Sequence, residues 1–131
     1  MALKANGKLY VSWDDITSLV DTLCEQISKS DIKITSVTGL ERGGLIPAVM
    51  ISHKLSIPYV YSIDSTTLVI DDICDSGETL NKLITPLTAV LHYKPTAKHT
   101  PTFFAKQVAD EWIVYPWERK DSEAIQDYLK K

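Results

Sequence analysis

The run Leu68-Val69-Ile70 ends directly on two adjacent carboxylates, Asp71 and Asp72, and this junction constrains the fold more than any other stretch of the chain. An unbroken branched apolar run needs cover on both faces, as a buried strand of a parallel sheet has. Open α/β sheets place their ligands beyond the carboxyl ends of their strands. The next residues suit that position: Asp75 follows, and then Ser76-Gly77-Glu78-Thr79 forms a turn leading into helical spacing. Such a turn presents backbone N–H groups and two hydroxyls at a helix N-terminus, which favours a phosphate. Carboxylates beside a phosphate cradle point to a sugar phosphate, its hydroxyls held by the acids with a divalent cation nearby. Aspartates that merely cap the next helix are the plainer reading. Three carboxylates at this spacing, followed by Ser-Gly-x-Thr, count against it.

At 131 residues, the chain fits one domain, 1–131, with room for a proper core. Its hydrophobic and charged fractions, 44% and 24%, are those of a globular protein. A net charge of -3 argues against a nucleic-acid or anionic-membrane surface. No apolar stretch reaches spanning length, the opening residues lack a signal-peptide core, and the expected setting is a reducing cytoplasm. Cys24 and Cys74 have neither metal-ligand spacing nor disulfide density, and Cys74 reads as a packing residue.

Along the chain, Leu9-Tyr10-Val11 is a short β-like entry, and Ser12 with Asp15 suggests a capped helix start. Ile16, Leu19, Val20, Leu23, Cys24 and Ile27 then recur at helical spacing, which predicts a helix ending near Ser30. Strands are expected at Ile32 to Val37, Pro58 to Ser62, Thr66 to Ile70, Leu87 to Tyr93 and Thr102 to Val108. Helices are expected from Pro47 to about Leu55, from about Gly77 to Ile84, and across Asp121 to Lys131. Strands alternating with short helices predict an α/β fold with a mostly parallel central sheet flanked by helices.

A second glycine-rich loop, Gly39-Leu40-Glu41-Arg42-Gly43-Gly44, lies between an expected strand and an expected helix. Glycines allow close approach to a ligand, and the Arg42 guanidinium is a fork of donors suited to phosphate oxygens. Read alone, it fits equally a tight turn with a solvent-facing Arg. Lys94 offers a cationic donor that favours a 6-oxo over a 6-amino group, and Trp112 an indole face for a planar heterocycle. Singly, these would be a surface lysine and a core tryptophan. Lys94-Pro95, Trp112-Ile113 and Pro116-Trp117-Glu118 follow one another in that order. Trp117 and Glu118 read as structural, and His53, His92 and His99 share no spacing.

Apolar run, Asp-Asp, two residues, Asp-Ser-Gly-x-Thr resembles the 5-phosphoribosyl-1-pyrophosphate (PRPP) motif of type I phosphoribosyltransferases. The likeness runs from about Leu9 to Glu118, and its purine end looks like bacterial xanthine–guanine phosphoribosyltransferases. The resemblance implies that Asp71 and Asp72 hold the ribose hydroxyls, directly or through Mg²⁺. Asp75, Ser76, Gly77, Glu78 and Thr79 would wrap the 5-phosphate, with Asp75 also exchanging a proton with the base. Leu40, Glu41, Arg42 and Gly43 would take pyrophosphate. Lys94 would meet the 6-oxygen, Trp112 stack on the ring, and backbone near Ile113 contact its edge. PRPP and a purine base are the implied partners, a small C-terminal hood formed mainly by about 94–118 the implied addition to the sheet, and a dimer or tetramer the implied assembly.

One departure stands out. Only about Ile63-Asp64-Ser65-Thr66 joins the two strands expected before the acidic motif, where the family carries a long mobile lid. The reaction passes through a ribosyl cation-like state that water intercepts, so lids exclude water. A non-catalytic PRPP or nucleotide sensor is therefore the alternative. A receiver-like phosphoacceptor domain fits less well, because its acidic pair follows the first strand and it has no use for an Arg-Gly-Gly loop.

Overall fold

Four segments whose apolar residues need cover on both sides pair side by side as a parallel sheet, and the computed structural model describes them within residues 3–5, 7–83 and 87–118. They are β3 (Ser36–Gly39), β4 (Thr67–Cys74), β5 (Thr88–Tyr93) and β6 (Phe103–Gln107), adjacent in that order. The register sets Val37 against Leu68, Ile70 against Ala89 and Val90 against Phe104. A smaller sheet has the order β1 (Leu3–Ala5), β2 (Lys8–Tyr10), β7 (Trp112–Val114), with β2 antiparallel to β1 and parallel to β7.

Helix α1 (Trp13–Lys29) begins at a reciprocal cap. The Asp15 amide donates to Ser12 Oγ at 3.0 Å, and the Ser12 amide donates to Asp15 Oδ2 at 2.9 Å. That satisfies two backbone donors left open at a helix start. Its buried face, Ile16, Val20, Leu23, Cys24 and Ile27, packs with Ala48 and Ile51 of α2 (Leu45–Leu55) against Leu68, Ile70, Ala89 and Leu91. The opposite face of the sheet is covered by Leu80 of α3 (Glu78–Asn81), which joins Val69, Cys74, Val90 and Tyr93. Burying both faces is what removed any polar alternation from Leu68 to Ile70.

Four expectations are corrected. Pro58 to Ser62 is no strand: it touches the sheet through one parallel bridge between Tyr59 and Val37. Pro58 has no N–H to donate, and the contact there is Val37 N to Pro58 O at 3.0 Å and Val60 N to Val37 O at 2.9 Å. The third strand starts at Ser36 rather than Ile32, because β4 offers its first partner, Thr67, only there; Ile32 itself is exposed. The helix expected from Gly77 is a single turn, Glu78–Asn81, followed by Lys82 N to Thr79 O and Leu83 N to Leu80 O. Strands β1 and β7 were not expected at all. The helix expected across Asp121 to Lys131 lies outside the described residues.

Candidate active site

The carboxyl ends of β3, β4 and β5 lie at one edge of the main sheet, and the motif residues gather there. At the end of β3, the Leu40 amide donates to Ile70 O at 2.9 Å, seating the Gly39–Gly44 loop beside the acidic pair. The loop folds on itself through Gly44 N to Leu40 O at 2.9 Å and Leu45 N to Arg42 O at 3.2 Å, and its Glu41–Arg42 peptide is cis. A methyl group at Gly43 would collide with the Asp72 carboxylate, and one at Gly44 with the Ile70 carbonyl. The two loops are therefore in contact through glycine, and a side chain at Gly44 would displace the backbone of β4 where one at Gly43 would displace the Asp72 carboxylate.

Each aspartate of the pair accepts from the amide that follows it: Asp72 N donates to Asp71 Oδ1 at 2.9 Å, and Ile73 N to Asp72 Oδ1 at 2.8 Å. Burial pushes the Asp72 carboxyl up to about 6; the neighbouring Glu118 charge adds to the rise, while hydrogen bonds from Asp71 and the backbone oppose it. Beyond the strand, Gly77 takes φ +78°, packs against the His99 backbone and starts α3. Glu78 N donates to Ser76 Oγ at 3.3 Å, Lys98 N to Ser76 O at 2.8 Å, and Cys74 Sγ lies 3.3 Å from His99 O. The Lys98–His99 segment thus braces the Asp75–Thr79 turn. With α3 only one turn long, an anion there would rely on loop amides and hydroxyls more than on a helix dipole.

Asp75 and Lys94 face each other, with Oδ1 and Nζ 3.4 Å apart. Lys94 is held by its own amide on Cys74 O at 3.0 Å, and its side chain is buried. Both residues line a cavity of about 700 Å³ whose far wall is Gln107 to Glu111, with Pro95 and Thr96 beside Lys94. Trp112 follows that wall directly, and its shielded indole Nε1 has no hydrogen-bond partner among the described residues. Ile113 is buried in β7. Gln107, Ala109, Asp110 and Glu111 were not singled out from sequence, because an irregular polar stretch carries no signal until it is folded against Lys94. Tyr115 and His92 were also missed, although Tyr115 Oη donates to Asp72 O at 3.1 Å and lies 2.8 Å from His92 Nδ1.

The connection from Tyr61 to Thr66 starts near this edge, because Gly39 N donates to Tyr59 Oη at 3.2 Å and the Tyr59 and Tyr61 rings lie 5.5 Å apart. Ile63 packs in the same apolar cluster as Leu40. The connection ends at the other edge, where Thr35 N donates to Thr66 O at 3.1 Å and the two threonine hydroxyls are 2.6 Å apart.

Among the described residues there is no group of three or more His, Cys, Asp or Glu that could hold a metal by itself. Mg²⁺ fits such a site when one or two carboxylates share it with ligand oxygens, and Asp71 with Asp72 supplies that hard-oxygen donor set. No helix among the described residues is long and apolar enough to cross a membrane.

No protein-family profile matches the chain. It is 25% identical to the xanthine-guanine phosphoribosyltransferase of Chromohalobacter salexigens, covering 82% of each chain. The aligned length of 135 exceeds this chain's own 131 residues, so the relative carries segments that this chain lacks. The crystal structure of a purine phosphoribosyltransferase from Pyrococcus horikoshii superposes with a TM-score of 0.76 at 26% identity, covering 92% of this chain and 99% of that one. A hypothetical protein from Neisseria gonorrhoeae with bound ppGpp superposes with a TM-score of 0.67 at 25% identity, covering 86% and 90%.

Proposed function

We propose that this chain, which belongs to the type I phosphoribosyltransferases, transfers the 5-phosphoribosyl group of PRPP to a 6-oxopurine (guanine, xanthine or hypoxanthine) and releases pyrophosphate. The observation that carries the proposal is the Lys94–Asp75 contact beside a cavity of about 700 Å³, next to the acidic pair. Lys94 suits the 6-oxygen because it donates only, and Asp75 suits the N–H of the ring nitrogen that gains the ribosyl group because its carboxylate accepts. In the reaction, the bond from ribose C1 to the pyrophosphate oxygen breaks as C1 bonds to a purine nitrogen. The proton on that nitrogen passes to Asp75.

The remaining roles are positional and electrostatic. Asp71 and Asp72 orient the ribose hydroxyls and would hold Mg²⁺, which supplies charge neutralisation for the pyrophosphate. The amides and hydroxyls of Ser76, Gly77, Glu78 and Thr79 seat the 5-phosphate. Leu40, Glu41, Arg42 and Gly43 receive the departing pyrophosphate, and Trp112 and Ile113 frame the base as part of the hood.

Incubation with PRPP, Mg²⁺ and each of guanine, hypoxanthine, xanthine and adenine, followed by mass spectrometry for nucleotide, tests this reading. Nucleotide from a 6-oxopurine, lost in Asp75→Asn, is the expected result. No nucleotide from any base sinks it. The second reading, a PRPP or nucleotide sensor, is favoured by the short connection Ile63-Asp64-Ser65-Thr66, which leaves no room for a lid. It predicts saturable nucleotide affinity with no turnover.

A further inference from the structure

We infer that Tyr115 is a positioning residue for the Asp71–Asp72 pair, holding a break in β4 through the carbonyl of Asp72; this rests on the phosphoribosyl-transfer reading of that pair. A regular strand alternates its faces with period two. Leu68 and Ile70 pack on the side of α1 and α2, and Val69 packs on the side of α3. The alternation then slips: Ile73 packs with the first group and Cys74 with the second. Strand β5 slips at the same level, since Leu91 lies on the α1–α2 side and Tyr93 on the α3 side, where strict alternation would put both on one face. The register matches this, running from Asp71 opposite Val90 to Ile73 opposite His92 and passing over Asp72 and Leu91.

Strand irregularities re-aim side chains and are over-represented next to active sites. Here the Asp72 carbonyl accepts from Tyr115 Oη at 3.1 Å. A hydroxyl has one hydrogen, so across the 2.8 Å contact His92 Nδ1 is the donor and Tyr115 Oη the acceptor. Within the strand, the Asp71 and Asp72 carboxylates take the amides of Asp72 and Ile73. Tyr115 is itself fixed: its amide donates to Glu118 Oε1 at 2.8 Å, and its ring stacks on Trp117 with centroids 5.0 Å apart and planes 3° from parallel. Tyr115 directly follows β7, which carries Trp112 and Ile113 and pairs with β2. One hydroxyl therefore ties the base-side strand to the backbone that carries the ribose-side acids.

Tyr115→Phe removes that hydroxyl and keeps the ring on Trp117. The expected result is a folded variant whose amide resonances move at Asp72 and Ile73, with affinity for PRPP and Mg²⁺, read by calorimetry, weakened by roughly tenfold, the low end of what contacts outside the ligands of a metal site are worth. Amide changes confined to β7, or unchanged affinity in a chain that binds PRPP, overturn the inference. A wild-type chain that binds no PRPP overturns the site reading instead, and the Asp72 and Ile73 resonances then decide whether Tyr115 holds β4. Should Tyr115→Phe fail to fold, His92→Asn, which leaves the Tyr115 hydroxyl in place, is expected to move the same two resonances by less; no movement there rejects the role.

Discussion

Lys94 Nζ lies 3.4 Å from Asp75 Oδ1, so the cation assigned to the base oxygen and the carboxylate assigned to the base nitrogen are already paired before any base arrives. A base must insert into an existing contact. Lys94→Met keeps the apolar stem and removes the charge. A hydrogen bond to a charged group contributes about 1.5–3 kcal/mol, so kcat/KM for a 6-oxopurine is expected to fall roughly 10- to 100-fold. PRPP affinity is expected to fall by less, because Lys94 meets the phosphate loop through Asp75 while the loop's own amides and hydroxyls are kept. Steady-state kinetics with each substrate varied in turn would show the split; an equal loss for both substrates contradicts it.

Gly43 and Gly44 differ in what a methyl group meets. At Gly43 it is the Asp72 carboxylate, which can rotate; at Gly44 it is the Ile70 carbonyl, which cannot move without the strand. Gly44→Ala should cost about 1–3 kcal/mol of stability, and Gly43→Ala less. Adding Asp72→Ala to Gly43→Ala should restore the melting temperature, because the two positions share one space. Chemical denaturation of the two single variants and the double variant is the check, and strict additivity would argue against the contact.

His92 is pushed down from 6.5 to about 4, first by burial and then by the Lys106 charge, with Asp15 and Glu111 opposing. The unfolded chain therefore takes up a proton that the folded chain resists. The stability at stake is fully present above 6.5 and lost as pH falls toward 4. The loss at its limit is about 3 kcal/mol. Urea midpoints measured from neutral to acid pH are expected to fall more steeply for the wild type than for His92→Asn; parallel curves would contradict this.

Burial pushes the Cys74 thiol up to about 11, with the Asp71 and Asp75 charges adding to the rise, and burial also raises Cys24. Thiolate is the reactive form, so iodoacetamide at about pH 8 should label neither cysteine in the folded protein and both after denaturation. Intact-mass spectrometry reads the count. Rapid labelling of Cys74 in the folded state would show that the Asp75–Thr79 turn opens.

Periodicity revealed the long elements. In α1, six apolar residues at helical spacing and a Ser12–Asp15 cap specify the helix locally, and both ends fell where the sequence put them. The run Leu68 to Ile70 marked β4 because no polar residue interrupts it, and the ladder does pass through it. Short elements carried no such mark. Three residues at Leu3–Ala5 and three at Trp112–Val114 have no period to read, and they are strands only because each meets β2. Tyr59 shows the converse, an apolar β-like stretch that finds one bridge and stops.

The residues of the site follow the same division. Asp71, Asp72, Asp75, Gly43 and Arg42 were singled out because residue type within a short span carries their chemistry, whereas Lys94 stood out only together with Trp112 and the segments around them. The sequence by itself determined which strand would be buried and which loops would stand at its carboxyl end, since hydrophobic run and turn chemistry are local properties. Only the tertiary structure decided that Asp72 rests on Gly43, that Tyr115, just beyond β7, donates to the Asp72 carbonyl, and that Thr66 meets Thr35 at the amino end of β3. Those are contacts between segments far apart in the chain, and no local preference encodes which partner a hydroxyl or a glycine will meet.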